Sequence, residues 1–213
     1  MKNISIINQL DIDEGKVVTI KNGVYVPVFL KQGSLDGACG PYCLFMALLI
    51  VGAVSNKELD ELWHIKLNTR LGKLIKAMRE HDTLFSDGTT IKELKKLLSK
   101  SFGKIIDTEI NESSGKSIIP FVINHLQQDV SVIVGIKNKD MAHWLLAVGF
   151  EKKDKVTKIL FLDPSGIDTS NYWNAAIDIE LKQSGRYPYA WIDHNDHTNE
   201  FIQFEEAIAI KPS

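Results

Sequence analysis

A mixed α+β chain, helices first and an antiparallel sheet after them, is the fold class the sequence predicts, and three observations carry it. Between residues 39 and 128 apolar residues recur at helical spacing, and two Ser/Thr-x-x-Glu patterns mark helix starts. From Ser131 onward the pattern changes to period two and continuous apolar runs, broken by short charged turns. At 213 residues and 44% hydrophobic, the chain can bury a core as one domain. That single domain, 1–213, is expected to divide into a helical lobe at about 39–128 and a sheet lobe at about 129–213. The N-terminal hairpin 16–31 is grouped with the sheet lobe.

Each element has its own reason. Lys16–Lys21 and Val24–Lys31 are rich in Val, Ile, Tyr and Phe and flank Asn22-Gly23, a hairpin-turn pair. Pro27 in the second run argues against a helix there. A long apolar helix is expected from Pro41 to about Ala53, with proline in its first turn. Ser55-Asn56-Lys57-Glu58 reads as a capping box opening a helix to about His64. Leu71, Leu74, Ile75 and Met78 give a helical stripe over Leu71 to His81. Thr90-Ile91-Lys92-Glu93 is a second capping box, and Phe121 to Gln128 a further helix after Pro120. Ser131–Lys137, Ala142–Glu151 and Lys155–Leu162 then read as three neighbouring strands joined by short charged hairpin loops. Ala175–Leu181, Ala190–Asp193 and Phe201–Ile210 complete the strand set.

Composition narrows the function classes. With 25 basic and 27 acidic residues, a formal charge of −2 gives no electrostatic case for binding nucleic acid or an anionic membrane. Lys95, Lys96, Lys100 and Lys104 read as a solvated helix face. Two cysteines four residues apart make no disulfide framework, so both are expected reduced. Met1 to Lys16 has no basic region followed by an apolar one, and the longest apolar run, Leu44 to Val54, is too short for a bilayer. A cytoplasmic protein, or one exported without a cleavable signal peptide, is expected. No cofactor is implied, and no metal: the polar loop Asp193-His194-Asn195-Asp196-His197 lacks a cysteine partner or a helical ligand spacing.

The chemistry points to Gln32 through Leu44. Gly37, Ala38 and Gly40 leave little bulk around Cys39, so a substrate backbone could approach its sulfur. The positive end of the following helix would favour the thiolate, the form that attacks. Gln32, seven positions upstream (39 − 32), could aim its side-chain amide at an oxyanion forming there. Free cysteines are ordinarily small buried hydrophobes. Cys43, among Leu44, Phe45, Leu48 and Leu49, reads as that.

What distinguishes Cys39 is the rest of the chain. His143 opens the apolar strand Ala142–Glu151, and Asp163 closes the next one, before Pro164-Ser165-Gly166. If the two strands form a hairpin, Asp163 sits beside His143 as a cross-strand neighbour and can hydrogen-bond one ring nitrogen. The other nitrogen then faces Cys39: nucleophile, base, and a group that fixes the base's tautomer. His64, His81, His125, His194 and His197 lie at helix ends, on a helix or in the polar loop, and fit this geometry less well.

Gln-x6-Cys-Gly-Pro, then His143-Trp144 opening a strand, then Asp163-Pro164 closing the next, resembles the papain-like cysteine peptidases. The resemblance is closest to the bacterial branch that includes the leader-cleaving (double-glycine) peptidases of bacteriocin exporters. It covers these three segments only. It implies a papain-like fold with a cysteine at the head of a central helix and the base and its partner on the sheet. By matching position it implies Cys39 as nucleophile, His143 as base and then acid, Asp163 as orienter, and Gln32 with the Cys39 N–H as oxyanion hole.

The expected activity is cleavage of a peptide or isopeptide bond through a Cys39 thioester, with a protein or peptide as partner. The same triad also serves a deamidase, a transglutaminase-like acyltransferase or an amidase, because the pocket chooses donor and acceptor. A third reading is a catalytically dead fold used as a binding module. Tyr42, Trp144 and the pair Tyr172-Trp173 are groove candidates, against the commoner aromatic role of core and sheet packing. Oligomeric state is not legible.

Overall fold

The protein was analysed as a computed structural model, which describes residues 3–21, 23–33, 38–61, 64–80, 89–168, 170–193 and 197–213. It is α+β, with a large antiparallel sheet. The elements in chain order are β1 (Asn3–Ile6), β2 (Leu10–Asp13), β3 (Lys16–Lys21), β4 (Val24–Pro27), α1 (Cys39–Ile50), α2 (Asn56–Asp60), α3 (Arg70–Glu80) and α4 (Ile91–Phe102). They continue with β5 (Ile106–Asn111), a short 3-10 turn (Gly115–Ser117), α5 (Ile118–Leu126), β6 (Val132–Lys137), β7 (Ala142–Lys152), β8 (Val156–Leu162), β9 (Ala175–Lys182), β10 (Tyr189–Asp193) and β11 (Thr198–Pro212).

The central helix explains itself from its residues. Ten of the twelve residues of α1 are buried, so it has no polar face to give to water and must run through the core. It packs on β7 and β6. Gly52, at φ +70°, ends it in the left-handed conformation that glycine adopts without strain. Both expected capping boxes form: Ser55 with Glu58 ahead of α2, and Thr90 with Glu93 ahead of α4.

The sheet closes on itself. β7, β6, β11, β10, β9 and β8 pair in that order, and β8 pairs back to β7, all antiparallel. Closure removes the edges these six strands would otherwise expose. β1 lengthens the circuit on β7, and β5 on β11. Gly149 permits the β1 contact: a Cβ there would stand 2.4 Å from the Ser5 carbonyl oxygen.

Several boundaries differ from the sequence expectation for physical reasons. α1 begins at Cys39 and α5 at Ile118, in each case two residues before its proline. The first four N–H groups of a helix have no partner inside it, so Pro41 and Pro120 fit as third residues as readily as first. α2 stops at Asp60, short of His64. β4 stops at Pro27, not Lys31, and the hairpin 16–31 does not join the large sheet. It forms a separate three-stranded sheet with β2. The stretch expected to be helical contains β5, whose Ile106, Thr108 and Ile110 alternate with Asp107, Glu109 and Asn111. Asn22, Asp36, Gly37, His81, His194, Asn195 and Asp196 lie outside the described residues. No helix among the described residues is long and apolar enough to cross a membrane.

Candidate active site

Cys39 is the first residue of the twelve-residue α1, where the backbone dipole is positive. Its side chain is nearly buried and hydrogen-bonded to His143. Burial pushes the thiol up. The His143 bond and charge, with the Trp144 and Gly40 backbone N–H groups, outweigh that and bring it below its ordinary value. Gly40 makes this approach fit. A Cβ on Gly40 would stand 3.2 Å from Trp144 Cδ1 and 3.3 Å from the Thr89 side chain.

His143 lies near the start of β7, and its Nε2 is 2.8 Å from Asp163 Oδ1, with side-chain exposures of 10% and 7%. Burial alone would keep the imidazole neutral. The Asp163 bond and then the Cys39 bond reverse that and raise His143 to about 9. With Nε2 committed to Asp163, Nδ1 is the nitrogen left for the sulfur. A lowered thiol beside a raised imidazole favours thiolate with imidazolium. The Trp191 ring of β10 lies 5.8 Å from the imidazole, tilted by 32°, and helps keep this pair dry.

The Asp163 contact is not the direct cross-strand pair expected from the sequence. The β7–β8 ladder ends at Leu146 opposite Leu162, so Asp163, one step on, falls level with Leu145. It reaches His143 on the diagonal, a separation that a carboxylate and an imidazole span together. Beyond the ladder the chain turns: the Ser165 N–H donates to Asp163 Oδ1 at 2.8 Å and the Gly166 N–H to the Asp163 carbonyl at 3.0 Å. Asn174, 3% exposed, accepts the Asp163 N–H and donates back to its carbonyl.

The structure therefore brings Cys39, His143 and Asp163 together. Gln32 is tied to the turn that follows Asp163: its backbone N–H donates to the Pro164 carbonyl at 2.9 Å. Cys43 is fully buried, its thiol pushed well above the ordinary range by burial and by the charges of Cys39 and Asp163. Trp144 is core, its indole N–H donating to the Thr89 carbonyl at 2.8 Å. Tyr172 and Trp173 line a surface groove with Ile4 and Ile6 of β1 and do not join the site. His125 is held by the Phe121 carbonyl and Glu109. Among the described residues no group of three or more His, Cys, Asp or Glu side chains is placed to hold a metal ion.

Flanking the nucleophile is an apolar cavity of ≈ 410 Å³. Its lining includes Ala38, Tyr42, Phe45, Leu59, Ile75 and Met78, with Asp60 and Arg79 as its charged members. Sequence reasoning missed Asn174, Trp191 and the Trp144 backbone as parts of the site. An asparagine just ahead of a strand, a tryptophan within one and a peptide group carry no local mark of such roles. Compared with known proteins, the chain matches no protein-family model and no curated sequence.

Proposed function

We propose that the protein is a cysteine peptidase of papain-like architecture, resembling the leader-processing peptidases of bacterial exporters, that cleaves a peptide or isopeptide bond. The observation that carries the reading is the run Cys39–His143–Asp163, with the sulfur at a helix N-terminus and both polar partners nearly buried. Buried ionisable groups held in line are costly for stability alone, and their arrangement supports a reading as nucleophile, base and orienter for acyl transfer.

In the proposed reaction the Cys39 thiolate attacks the carbonyl carbon, and the carbonyl oxygen takes the negative charge. The Cys39 N–H, one of the donors at the start of α1 that have no partner within the helix, is proposed to face that oxyanion, with Gln32 as the second donor. A single such donor lowers the barrier by about 3 kcal/mol. The His143 imidazolium gives its proton to the leaving amine as the C–N bond breaks, leaving a Cys39 thioester and a neutral imidazole. His143 then takes a proton from water, whose hydroxide attacks the thioester. The acid leaves and the thiolate–imidazolium pair is restored. Asp163 keeps one tautomer and orientation throughout. The apolar cavity beside Ala38 offers room for a substrate side chain.

The test is labelling with an epoxide thiol-protease inhibitor followed by peptide mapping, together with hydrolysis of a peptide library. Modification at Cys39 alone, and loss of cleavage by at least about a thousandfold in Cys39→Ala, are expected. Ammonia release without chain cleavage would move the reaction to deamidation. A Cys39 as unreactive as a model thiol would end the enzyme reading.

A further inference from the structure

The turn that follows β8 bears on both sides of the site, and one residue holds it. Asn174 precedes β9 and is almost wholly buried. Its Oδ1 accepts the Asp163 N–H at 2.6 Å, while its Nδ2 donates to the Asp163 carbonyl at 2.9 Å and to the Ile167 carbonyl at 3.1 Å. Its own backbone N–H donates to the Phe161 carbonyl at 3.0 Å. Every hydrogen-bonding site of the amide nitrogen is used, and both backbone groups of Asp163 are held by one side chain.

We propose that Asn174 is a positioning residue for the reaction: its amide clamps the backbone of Asp163 so that the carboxylate meets His143, and steadies the turn to which the Gln32 segment is tied. The reason lies in register. The β7–β8 ladder ends at Leu162, so Asp163 stands beyond the last sheet pair with no strand partner to orient it. Asn174 supplies the pair of bonds a neighbouring strand would have given. The next bond in the chain, Gln32 N–H to the Pro164 carbonyl, begins one residue later on the same turn. Gly166 fits the clamp tightly: a Cβ there would stand 2.5 Å from Asn174 Nδ2 and 3.1 Å from its Cγ. No side chain other than hydrogen leaves the amide in place.

The proposal rests on the assignment of His143 and Asp163 above, but its test needs no substrate. The titratable groups facing the imidazole are Asp163 and Cys39. Asn174→Leu keeps the shape and removes all three side-chain bonds. Gly166→Ala leaves Asn174 intact and displaces it. The His143 ring is titrated by NMR in both folded variants, alongside the pH dependence of Cys39 alkylation by iodoacetamide. Loss of the clamp is expected to move the His143 titration down from about 9 toward 6.5 in both variants. Alkylation at pH 7 should slow, by up to about tenfold per pH unit by which the thiol rises, with little loss of rate at pH 10. Gly166→Ala keeps the test open should Asn174→Leu fail to fold. His143 titrating as in the parent, in a folded variant, would overturn the proposal. Unreactive Cys39 in the parent would instead count against the peptidase reading and leave the NMR result to decide the clamp.

Discussion

Cys43 Sγ lies 3.4 Å from the carbonyl oxygen of Trp144, the residue whose own N–H reaches the sulfur of Cys39. One strand residue thus treats two cysteines of one helix in opposite ways. It offers an acceptor to the thiol of Cys43 and a donor to the sulfur of Cys39. Only the second is drawn toward the thiolate.

Alkylation should therefore be selective. Iodoacetamide at neutral pH is expected to modify Cys39 and leave Cys43 untouched in the folded protein. Cys43→Ala should retain hydrolysis while costing about 1 kcal/mol in urea unfolding, the scale of a small buried side-chain truncation. Loss of activity in Cys43→Ala with unchanged stability would contradict the assignment.

Stability should carry the signature of His143. Its folded value, about 9, stands above 6.5, so its contribution is fully present below about pH 6.5 and is lost as pH rises through about 9. The measurement is best made with Cys39→Ala, which removes the thiol's own titration and keeps the Asp163 bond, the larger upward cause. The gap in urea stability between that protein and the same protein with His143→Gln should shrink as pH climbs above 6.5, with the upper edge of the window below 9 because the Cys39 contribution is gone. A gap independent of pH would count against the buried imidazolium.

Helix packing against the strand should tolerate no methyl at Gly40. Alanine is the better helix former by about 1 kcal/mol, which favours the substitution. Against it stand the Trp144 ring at 3.2 Å, pinned by its bond to the Thr89 carbonyl, and the Thr89 side chain at 3.3 Å. Neither neighbour is a loose side-chain end, so Gly40→Ala is expected to lower both thermal stability and Cys39 reactivity. A gain in stability with full reactivity would show that Trp144 gives way freely.

Thr90→Ala separates stability from chemistry. Its hydroxyl accepts the Glu93 N–H at 3.4 Å, while Glu93 returns a bond to the Thr90 N–H at 2.8 Å. Removing the cap should cost about 1 kcal/mol in urea unfolding and leave the Cys39 alkylation rate unchanged.

Much of this molecule was legible because its local and global signals agree. The capping boxes at Ser55 and Thr90, the all-apolar α1 and the three hairpin strands β6 to β8 each speak through nearby residues. So do Cys39, His143 and Asp163, whose places at a helix head and at strand ends are readable one at a time. What escaped the sequence depends on long-range pairing. β1 finds its place only on the far half of β7, and β5 only on β11, more than ninety positions along the chain for each paired residue. The β6–β11 pairing that completes the closed sheet arises the same way, while the clamp of Asn174 on Asp163 spans a loop whose residues carry no local mark of it. The diagonal reach of Asp163 turned on register: Leu162 pairs with Leu146, so Asp163 falls level with Leu145 and not with His143.

The proposed chemistry depends most on the thiolate–imidazolium pair between Cys39 and His143. Its most direct test is the rate of Cys39 alkylation by iodoacetamide from pH 4 to pH 10, in the parent protein and in His143→Ala. The predicted result is a thiolate titrating below the ordinary thiol value in the parent, rising toward or above it when the imidazole is removed. A Cys39 that titrates like a free thiol, or identically in both proteins, would contradict it.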